Sequence, residues 1–370
     1  MRVLIVKLSA LGDVIHALPV LDYLHQAKPG IEVDWIVEEA FSPLLAGNPG
    51  IAELIVMRAR SWRKRPFASE TRRELLAVVR RLRERNYDMV FDIQGNIKSG
   101  VTTWLSGCPD RLGFAREVTQ ESANTWFTTR QIPLRPGDRH VTDQYLRLVS
   151  IPFGKDFTAM ELATDIPVPE SDERWAGGFM ETLGNGLVFL FHCGTTWQTK
   201  FWHDAGWIEL ARRAQDVFPG CTTLLTWGNE SERQAAERIA AGAGAGARVV
   251  ERLPLGRLVA LLKKVDLVVG GDTGIVHAAA AVGTPTVSFY RASDARRSGP
   301  RGSQHRVIQA AMPCARCFRT SCSQDSPAGR VLPPENCCQP WRRSCSSLAK
   351  SIKNFRAGSL FFLSRGRSLW

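Results

Sequence analysis

Three groups of polar residues in the second half of the chain have the composition of a nucleoside diphosphate site. The first lies in GGDTGIVHAAAAVGTP, which starts at Gly270, directly after an apolar run. Its glycines let the backbone approach a ligand closely, and the N–H groups at the start of the following helix attract phosphate. An ordinary strand–turn–helix is the simpler alternative, since Gly-rich turns are common. The candidate ligand-binding residues here are Asp272, Thr273, Gly274 and His277.

Two further stretches add hydroxyls, a cation and a carboxylate. In HCGTTWQTKFW, the hydroxyls of Thr195 and Thr196 can orient a diphosphate, and Lys200 can neutralise charge on a leaving group. In TWGNESE, Glu230 can accept hydrogen bonds from ribose hydroxyls. Taken singly, the first stretch is also typical of a solvated loop and the second of a helix N-terminus. Because all three groups follow strands of one predicted sheet, together they indicate a nucleotide diphosphate site.

Asp13 occupies a similar junction in the first half of the chain. KLSALGDVIHALP joins an apolar strand to an amphipathic helix, a place that normally favours phosphate, yet a carboxylate would repel one. If the nucleotide binds to the second half, Asp13 is available as the general base that takes a proton from an attacking hydroxyl. The simpler role is to N-cap a helix that begins at Val14, and the two roles are compatible.

Two stretches of the first half predict contacts with an anionic, membrane-embedded acceptor. Residues 58–85 hold 11 Lys and Arg against 3 Asp and Glu, and DIQGNIKSG follows another predicted strand. A solvated basic face and a connection rich in turn formers are the alternatives. The candidate acceptor contacts are Arg60, Arg63, Lys64, Gln94 and Lys98. The chain has no Asp-x-Asp pair to bridge a diphosphate through a divalent cation, so we expect no metal and no other cofactor.

The elements that must position these residues alternate between strand and helix. Runs rich in β-branched residues predict buried parallel strands at 2–8, 33–37, 53–57, 88–93, 187–193, 221–227, 247–251, 265–271 and 284–290. Amphipathic helices are predicted after Gly12 and over Arg72–Asn86. A stretch rich in proline, charge and glycine, IPVPESDERWAGG, separates the two halves.

This order predicts an α/β fold of two doubly wound, Rossmann-like domains that face each other across a cleft. We place an acceptor-binding domain at 1–165, a linker at 166–180, a donor-binding domain at 181–325 and an atypical basic, Cys-rich tail at 326–370.

Composition excludes several classes of protein. The net charge of +12 comes from residues 291–370, which hold 15 of the 48 Lys and Arg but 3 of the 36 Asp and Glu. The neutral body argues against a nucleic-acid partner. The sequence contains no run of eighteen apolar residues, so we expect no membrane span. It begins directly on a predicted strand rather than on a secretion leader, so we do not expect secretion. Six of the nine cysteines lie between Cys314 and Cys345; their spacing offers a single Cys-x2-Cys pair, which makes a zinc site the less favoured explanation.

Taken together, these motifs resemble those of the lipopolysaccharide heptosyltransferases of glycosyltransferase family 9. The resemblance covers about residues 1–315; each stretch is weak alone, and their combination is specific. Trp35 and the Glu38-Glu39 pair favour type I over type II. The matching stretches, in order, are MRVLIVKLSALGDVIHALPVL, VDWIVEEAF, SWRKRPF, YDMVFDIQGNIKSG, TTWQTKFW, TWGNESE and GGDTGIVHAAAAVGTPTVSFYRASD.

The resemblance implies a GT-B fold and an inverting, metal-independent transfer of L-glycero-D-manno-heptose from ADP-heptose to a Kdo residue of Kdo-lipid A in the inner core of lipopolysaccharide. It implies that Asp13 is the base, that the basic segment around Arg60, Arg63 and Lys64 faces the acceptor, and that the enzyme acts at the cytoplasmic face of the inner membrane. We expect a monomer. The residues it assigns to the donor are Thr195, Thr196, Lys200, Glu230, Asp272, Thr273, Gly274 and His277.

Alternatives remain at this point. A type II heptosyltransferase or another nucleotide-sugar enzyme of the same fold, such as an epimerase, has similar motifs. A nucleotide- or polyanion-binding protein without activity would bind through its basic tail in a salt-sensitive manner. The tail itself departs from the family, which ends in an amphipathic helix. We hypothesise that the chain beyond about Asp325 is out of frame or highly diverged, with at most a short helix at Ser347–Gly358.

Overall fold

The computed structural model describes residues 1–310 and 314–322. The chain divides into two compact units, with the boundary between Pro167 and Val168. The hypotheses about the chain beyond Asp325, including the short helix, lie outside the described residues. Within those residues, no helix has the length and apolar character that crossing a bilayer requires.

The first unit is built on one six-stranded parallel sheet in the order β3-β2-β1-β4-β5-β6. Its strands are β1 (Arg2–Val6), β2 (Glu32–Glu38), β3 (Glu53–Met57), β4 (Met89–Asp92), β5 (Arg111–Phe114) and β6 (Arg130–Ile132). Its helices are α1 (Leu11–Ala17), α2 (Pro19–Ala27), α3 (Ala59–Lys64), α4 (Ser69–Glu84), α5 (Ile97–Leu105) and α6 (Val141–Ser150), with 3₁₀ turns at Glu39–Leu44, Ser122–Trp126 and Phe157–Ala159.

The second unit repeats this arrangement with a sheet in the order β12-β11-β10-β7-β8-β9, again parallel throughout. Its strands are β7 (Val188–His192), β8 (Thr222–Thr226), β9 (Ala247–Val249), β10 (Leu267–Gly271), β11 (Thr286–Tyr290) and β12 (His305–Gln309). Its helices are α7 (Glu170–Glu181), α8 (Asp204–Val217), α9 (Glu230–Ala243), α10 (Leu255–Leu262), α11 (Gly274–Ala281) and α12 (Ala295–Ser298), with a 3₁₀ turn at Gln198–Lys200.

The central strands form because they are apolar on both faces. All five residues of β7 and of β10 are buried, as parallel strands covered by helices on both sides must be. In both sheets the chain order reverses between the first and fourth strands, β1 and β4 in one and β7 and β10 in the other. Ligands of doubly wound sheets bind at the carboxyl ends of such a pair of strands. The predicted doubly wound α/β fold is confirmed for each unit.

The predicted linker at 166–180 is wrong as a description of local structure, because α7 spans Glu170–Glu181. Acidic residues in its first turn favour the helix N-terminus, and Trp175 and Phe179 stack on one face with ring centroids 5.4 Å apart. Pro169 precedes the helix as its N-cap, a position in which proline is tolerated. The proline and the acidic residues that indicated a linker therefore mark the start of a helix.

Candidate active site

The turn after β10 brings three ionisable side chains together. Asp272 follows the last residue of the strand, and His277 lies on the first turn of α11. The Nε2 atom of His277 lies 3.3 Å from Oδ1 of Asp272, and Nζ of Lys200 donates to Oδ2 at 2.6 Å. Because Lys200 comes from the loop after β7, this ion pair joins the ends of the two strands at which the chain order reverses.

Asp272 is held in its ionised form by these neighbours. Burial opposes ionisation, since the side chain is only 10% exposed. The hydrogen bonds and charges of His277 and Lys200 outweigh burial and hold the pKa of the Asp272 carboxyl well below its usual range. The carboxylate therefore fixes the Lys200 ammonium at the strand ends, where the sequence predicted a cation for a diphosphate.

The start of α11 fits an anion. A Cβ added at Gly270 would lie 2.7 Å from Cγ2 of Val276, so glycine allows the helix to approach the sheet. Thr273 is the N-cap residue, and its buried hydroxyl has no hydrogen-bond partner among the described residues. Gly274 is the first residue of the helix. An unpartnered hydroxyl next to helix N-terminal N–H groups is suited to a phosphate oxygen.

The loop that carries Lys200 is anchored in the core. The Lys200 ammonium lies 4.2 Å from the centre of the Trp197 ring, and Trp202 is buried against Trp207 and Phe289, with ring centroids 5.1 and 5.5 Å away. Earlier in the loop, Thr195 is half-buried and Thr196 is exposed. Thr195 and Thr196 follow the end of β7, and Lys200 alone of the three has a described contact at the end of β10.

A segment near the end of the described chain also holds this loop, and sequence reasoning missed it. The hydroxyl of Thr199 donates to the carbonyl of Arg319. The backbone N–H groups of Arg316 and Phe318 donate to the carbonyls of Arg291 and Ala292, which follow β11. Residues 316–319 therefore brace the Lys200 loop against the neighbouring strand end.

Glu230 and Glu232 lie in different surroundings at the start of α9. The Glu230 carboxylate is exposed and paired with Arg233, 2.7 Å away. Glu232 lies at the strand ends instead: its Oε2 accepts from the N–H of Gly228 at 2.7 Å, and a Cβ added at Gly194 would overlap its carboxylate. Asn229 is the N-cap of α9, so the helix begins at Glu230. With this start, the Glu232 side chain is the one that reaches Gly228 and Gly194.

In the first unit, Asp13 is the third residue of α1 rather than its N-cap. The helix begins at Leu11 after Ala10, so the predicted N-cap role at Val14 is wrong. Oδ2 of Asp13 accepts from the N–H of Ala10 at 3.3 Å, and the Tyr145 hydroxyl lies 3.5 Å from Oδ1. Asp13 is half-buried beyond the carboxyl end of β1, one of the two strands between which the chain order of this sheet reverses.

Gln94 and Lys98 have structural partners. Oε1 of Gln94 accepts from the N–H groups of Leu8 and Ser9, at 3.2 and 3.1 Å, and so ties the loop after β4 to the end of β1. Nζ of Lys98 donates to the buried Glu38 at 2.6 Å. To contact an acceptor, Gln94 and Lys98 would have to keep these hydrogen bonds and use their remaining donors, or else exchange them.

The basic segment of α3 is exposed, which is compatible with an acceptor contact and with a solvated face alike. Arg60, Arg63 and Lys64 are all exposed, while Trp62 donates from Nε1 to Glu74 on α4 at 2.8 Å. The tryptophan therefore fixes α3 against α4 and leaves the cations facing solvent.

Comparison with known proteins decides the family. The sequence profile of glycosyltransferase family 9 (heptosyltransferase) matches residues 75–327. Lipopolysaccharide heptosyltransferase 1 of Pseudomonas aeruginosa is 36% identical over 87% of this chain and 88% of its own. The chain belongs to glycosyltransferase family 9. The predictions of family and of an enzyme are confirmed.

Other members of glycosyltransferase family 9 extend the comparison. Lipopolysaccharide heptosyltransferase 1 of Escherichia coli K12 is 31% identical over 84% of this chain and 94% of its own. The solved structure of E. coli heptosyltransferase WaaC with ADP-2-deoxy-2-fluoro heptose superposes with a TM-score of 0.68 at 30% identity, covering 84% of this chain and 93% of the other. This match confirms the predicted GT-B fold class.

Proposed function

We propose that this enzyme transfers L-glycero-D-manno-heptose from ADP-heptose to the Kdo residue of Kdo-lipid A in lipopolysaccharide inner core biosynthesis. The observation that carries the proposal is the similarity to heptosyltransferases named type 1, at 36% and 31% identity over most of both chains, against 22% for heptosyltransferase 2 of E. coli. The solved relative that binds an ADP-heptose analogue supports the choice of donor.

The donor site in this proposal lies at the ends of β7, β8 and β10. Lys200 and the start of α11 at Thr273 and Gly274 would hold the diphosphate, with Thr195 and Thr196 orienting it. Glu232 replaces Glu230 as the carboxylate for the ribose hydroxyls, because Glu232 contacts the loops after β7 and β8 while Glu230 is paired with Arg233. Asp272 and His277 would fix Lys200 and contact the sugar.

The reaction is a single displacement at the anomeric carbon of heptose. A hydroxyl oxygen of Kdo forms the new bond to that carbon as the bond to the diphosphate oxygen breaks, and the configuration inverts. Asp13 takes the hydroxyl proton, and Lys200 stabilises the charge that develops on departing ADP. We expect the transfer to need no metal.

A lipid-linked acceptor would bring the enzyme to a membrane surface. Arg60, Arg63 and Lys64 are exposed on α3, and Phe67, which follows them, is 98% exposed. Cations beside an exposed aromatic ring are suited to an anionic lipid surface. We propose peripheral association with the cytoplasmic face of the inner membrane, and a monomer as the active form.

The decisive experiment follows heptose transfer from ADP-heptose to Kdo-lipid A by mass spectrometry, for the intact protein and Asp13→Asn. We expect the substitution to lower kcat about 10³-fold while the Kd of ADP is unchanged, because general-base catalysis contributes on that scale. Asp22→Asn is the matched control, since Asp22 lies in the same unit and its carboxylate accepts from the N–H of Ala163.

Three results would overturn parts of the proposal. Failure of the intact protein to bind ADP would contradict the donor site. Full activity of Asp13→Asn would contradict the base. Transfer to heptosyl-Kdo-lipid A but not to Kdo-lipid A would assign a type II activity.

A further inference from the structure

Lys7 is a buried cation that the proposed reaction does not yet use. It follows the last residue of β1 and is 2% exposed. An ammonium taken out of water needs partners, because its desolvation is costly. Its Nζ donates to the Tyr145 hydroxyl at 2.8 Å and to the carbonyl of Ile93 at 3.4 Å, and it lies 4.6 Å from the centre of the Tyr145 ring.

Tyr145 connects this cation to Asp13. A phenol can accept one hydrogen bond and donate another. Because the Lys7 ammonium can only donate, the Tyr145 oxygen accepts from it, and the phenol proton is directed to Oδ1 of Asp13, 3.5 Å away. The chain Lys7–Tyr145–Asp13 therefore runs in one direction, from a buried positive charge to the carboxylate.

Rigid elements hold each member of this chain. The indole N–H of Trp35, on β2, donates to the carbonyl of Lys7 at 3.2 Å. Tyr145 is buried on α6, which packs against α1, and its ring lies 6.4 Å from that of Phe114. The second carboxylate oxygen of Asp13 accepts from the N–H of Ala10. Both oxygens of the carboxylate are thus oriented before any substrate binds.

Most of the other ionisable groups near α1 have partners other than Asp13. His16 lies one turn further along α1, where its ring contacts His140 edge-on at 5.2 Å and its Nδ1 lies 3.4 Å from the Thr142 hydroxyl. The remaining ionisable or charged side chains on the elements packed against α1 are Asp22, Tyr23 and His25 on α2, Asp143 and Arg147 on α6, and Glu39 before α3. Of these, Glu39 pairs with Arg58, Arg147 with Asp138, and His25 contacts the carbonyl of Gly50.

We propose that Lys7 and Tyr145 are positioning residues that orient Asp13 for proton abstraction. The inference rests on the proposed role of Asp13 as the base. A phenol that is itself held by a buried ammonium restricts the carboxylate to one orientation, and a base acts efficiently only from the correct geometry. Removing either group should leave donor binding intact and weaken the base.

The test compares Tyr145→Phe and Lys7→Met with the intact enzyme in the heptose-transfer assay. For Tyr145→Phe we expect kcat to fall about tenfold with the KM for ADP-heptose unchanged, because the carboxylate loses its orientation. For Lys7→Met we expect a similar decrease in kcat, again with KM unchanged, because the Tyr145 hydroxyl loses the donor that directs its proton to Asp13.

Tyr23→Phe is the matched control. Tyr23 is a buried tyrosine of the same unit, and its hydroxyl donates to the carbonyl of Lys155 at 2.9 Å, so the substitution removes an equivalent hydroxyl elsewhere. Its kcat and its KM for ADP-heptose should match those of the intact enzyme. A merely structural role for Tyr145 would make the two Tyr→Phe variants alike.

The outcomes separate the two proposals. If Asp13→Asn keeps its activity, the proposed base is wrong. If Asp13→Asn loses activity while Tyr145→Phe and Lys7→Met keep the kcat of the intact enzyme, the positioning role is overturned and the base stands. Should Lys7→Met fail to fold, Tyr145→Phe against Tyr23→Phe decides the question alone.

Discussion

Asp92 and Asp272 occupy similar places in two sheets of the same strand order. Asp92 is the last residue of β4, and Asp272 follows the last residue of β10, the fourth strand of the second sheet. Asp92 is fully buried and accepts from the N–H groups of Gln94 and Gly95. It also accepts from the Ser99 hydroxyl at 2.9 Å and from the Asn124 amide at 2.6 Å.

The two carboxyl groups respond to their neighbours in opposite ways. Burial raises the pKa of Asp92, and its neutral donors only partly oppose the shift. Asp272 is buried almost as deeply, yet Lys200 and His277 bring its pKa well below the usual range. At the end of β4 the aspartate is therefore used by neutral hydrogen-bond donors from neighbouring loops. At the equivalent end of β10 it pairs with side chains that can carry a positive charge. The difference lies in whether the partners are neutral dipoles or potential cations.

Removing Lys200 should produce the largest effect, because it takes away the cation that distinguishes the two places. For Lys200→Met we expect kcat/KM to fall about 10³-fold, since a single preorganised charge at a leaving group contributes on that scale. Steady-state kinetics with ADP-heptose would measure it. Lys263→Met is the control, because Lys263 pairs with Glu173 on the outside of the same unit. A decrease of less than about threefold would mean that Lys200 does not contact the diphosphate.

Stability against pH should separate the two carboxyl groups by sign. An unfolded Asp titrates near pH 4. The lowered pKa of Asp272 means that its stabilising effect is present above about pH 4 and is lost as pH falls below it, so the destabilisation caused by Asp272→Asn should shrink in acid. The raised pKa of Asp92 means that its stabilising effect is greatest below about pH 4 and is lost as pH rises, so the destabilisation caused by Asp92→Asn should grow in acid.

Urea unfolding of both variants and the intact protein between pH 7 and pH 2.5 measures these differences. At neutral pH we expect Asp92→Asn to cost about 1–3 kcal/mol, because its new amide would face the Asn124 amide donor. The Kd of ADP for Asp92→Asn should equal that of the intact protein. Parallel pH trends for the two variants would contradict the comparison.

The sequence was informative about the fold wherever a strand is buried on both faces. Apolar residues make up all but one position of β1 and of β7, and every residue of β10 is apolar or glycine, so the loops that follow these strands could be located from the sequence. The strands that escaped prediction are β5, β6 and β12, with sequences RLGF, RQI and HRVIQ. β6 and β12 are edge strands, whose outer sides tolerate polar residues, so their sequences lack the buried pattern. β6 and β12 are recognised as strands only through their hydrogen bonds to β5 and β11.

The candidate site divides in the same way. Asp272, Thr273 and His277 lie within six residues of one another, so a local motif contains their arrangement. Lys7 and Tyr145 are separated by 138 positions, and their contact depends on how α6 packs. Glu230 and Glu232 differ by two residues on one helix, so the choice between them depends on where that helix begins. A short sequence motif does not determine how a distant helix packs, nor the residue at which a helix begins.

The smallest effect we predict tests the choice between those two glutamates. Glu232→Gln should weaken ADP binding about tenfold, which is about 1.4 kcal/mol and fits the loss of a charged hydrogen bond to ribose. Glu230→Gln should leave the Kd unchanged, because Glu230 is 61% exposed and pairs with Arg233. Isothermal titration with ADP measures both.

Gly194→Ala sharpens this last test without changing any charge. The added Cβ would overlap the Glu232 carboxylate, the far end of a flexible side chain that can move aside with little loss of stability. We therefore expect an ADP affinity as low as that of Glu232→Gln, with an unfolding free energy near that of the intact protein. If Gly194→Ala and Glu232→Gln bind ADP normally while Glu230→Gln does not, the original sequence-based choice of Glu230 is right. The ADP site would then include Glu230 at the start of α9 as well as Lys200 beside Asp272.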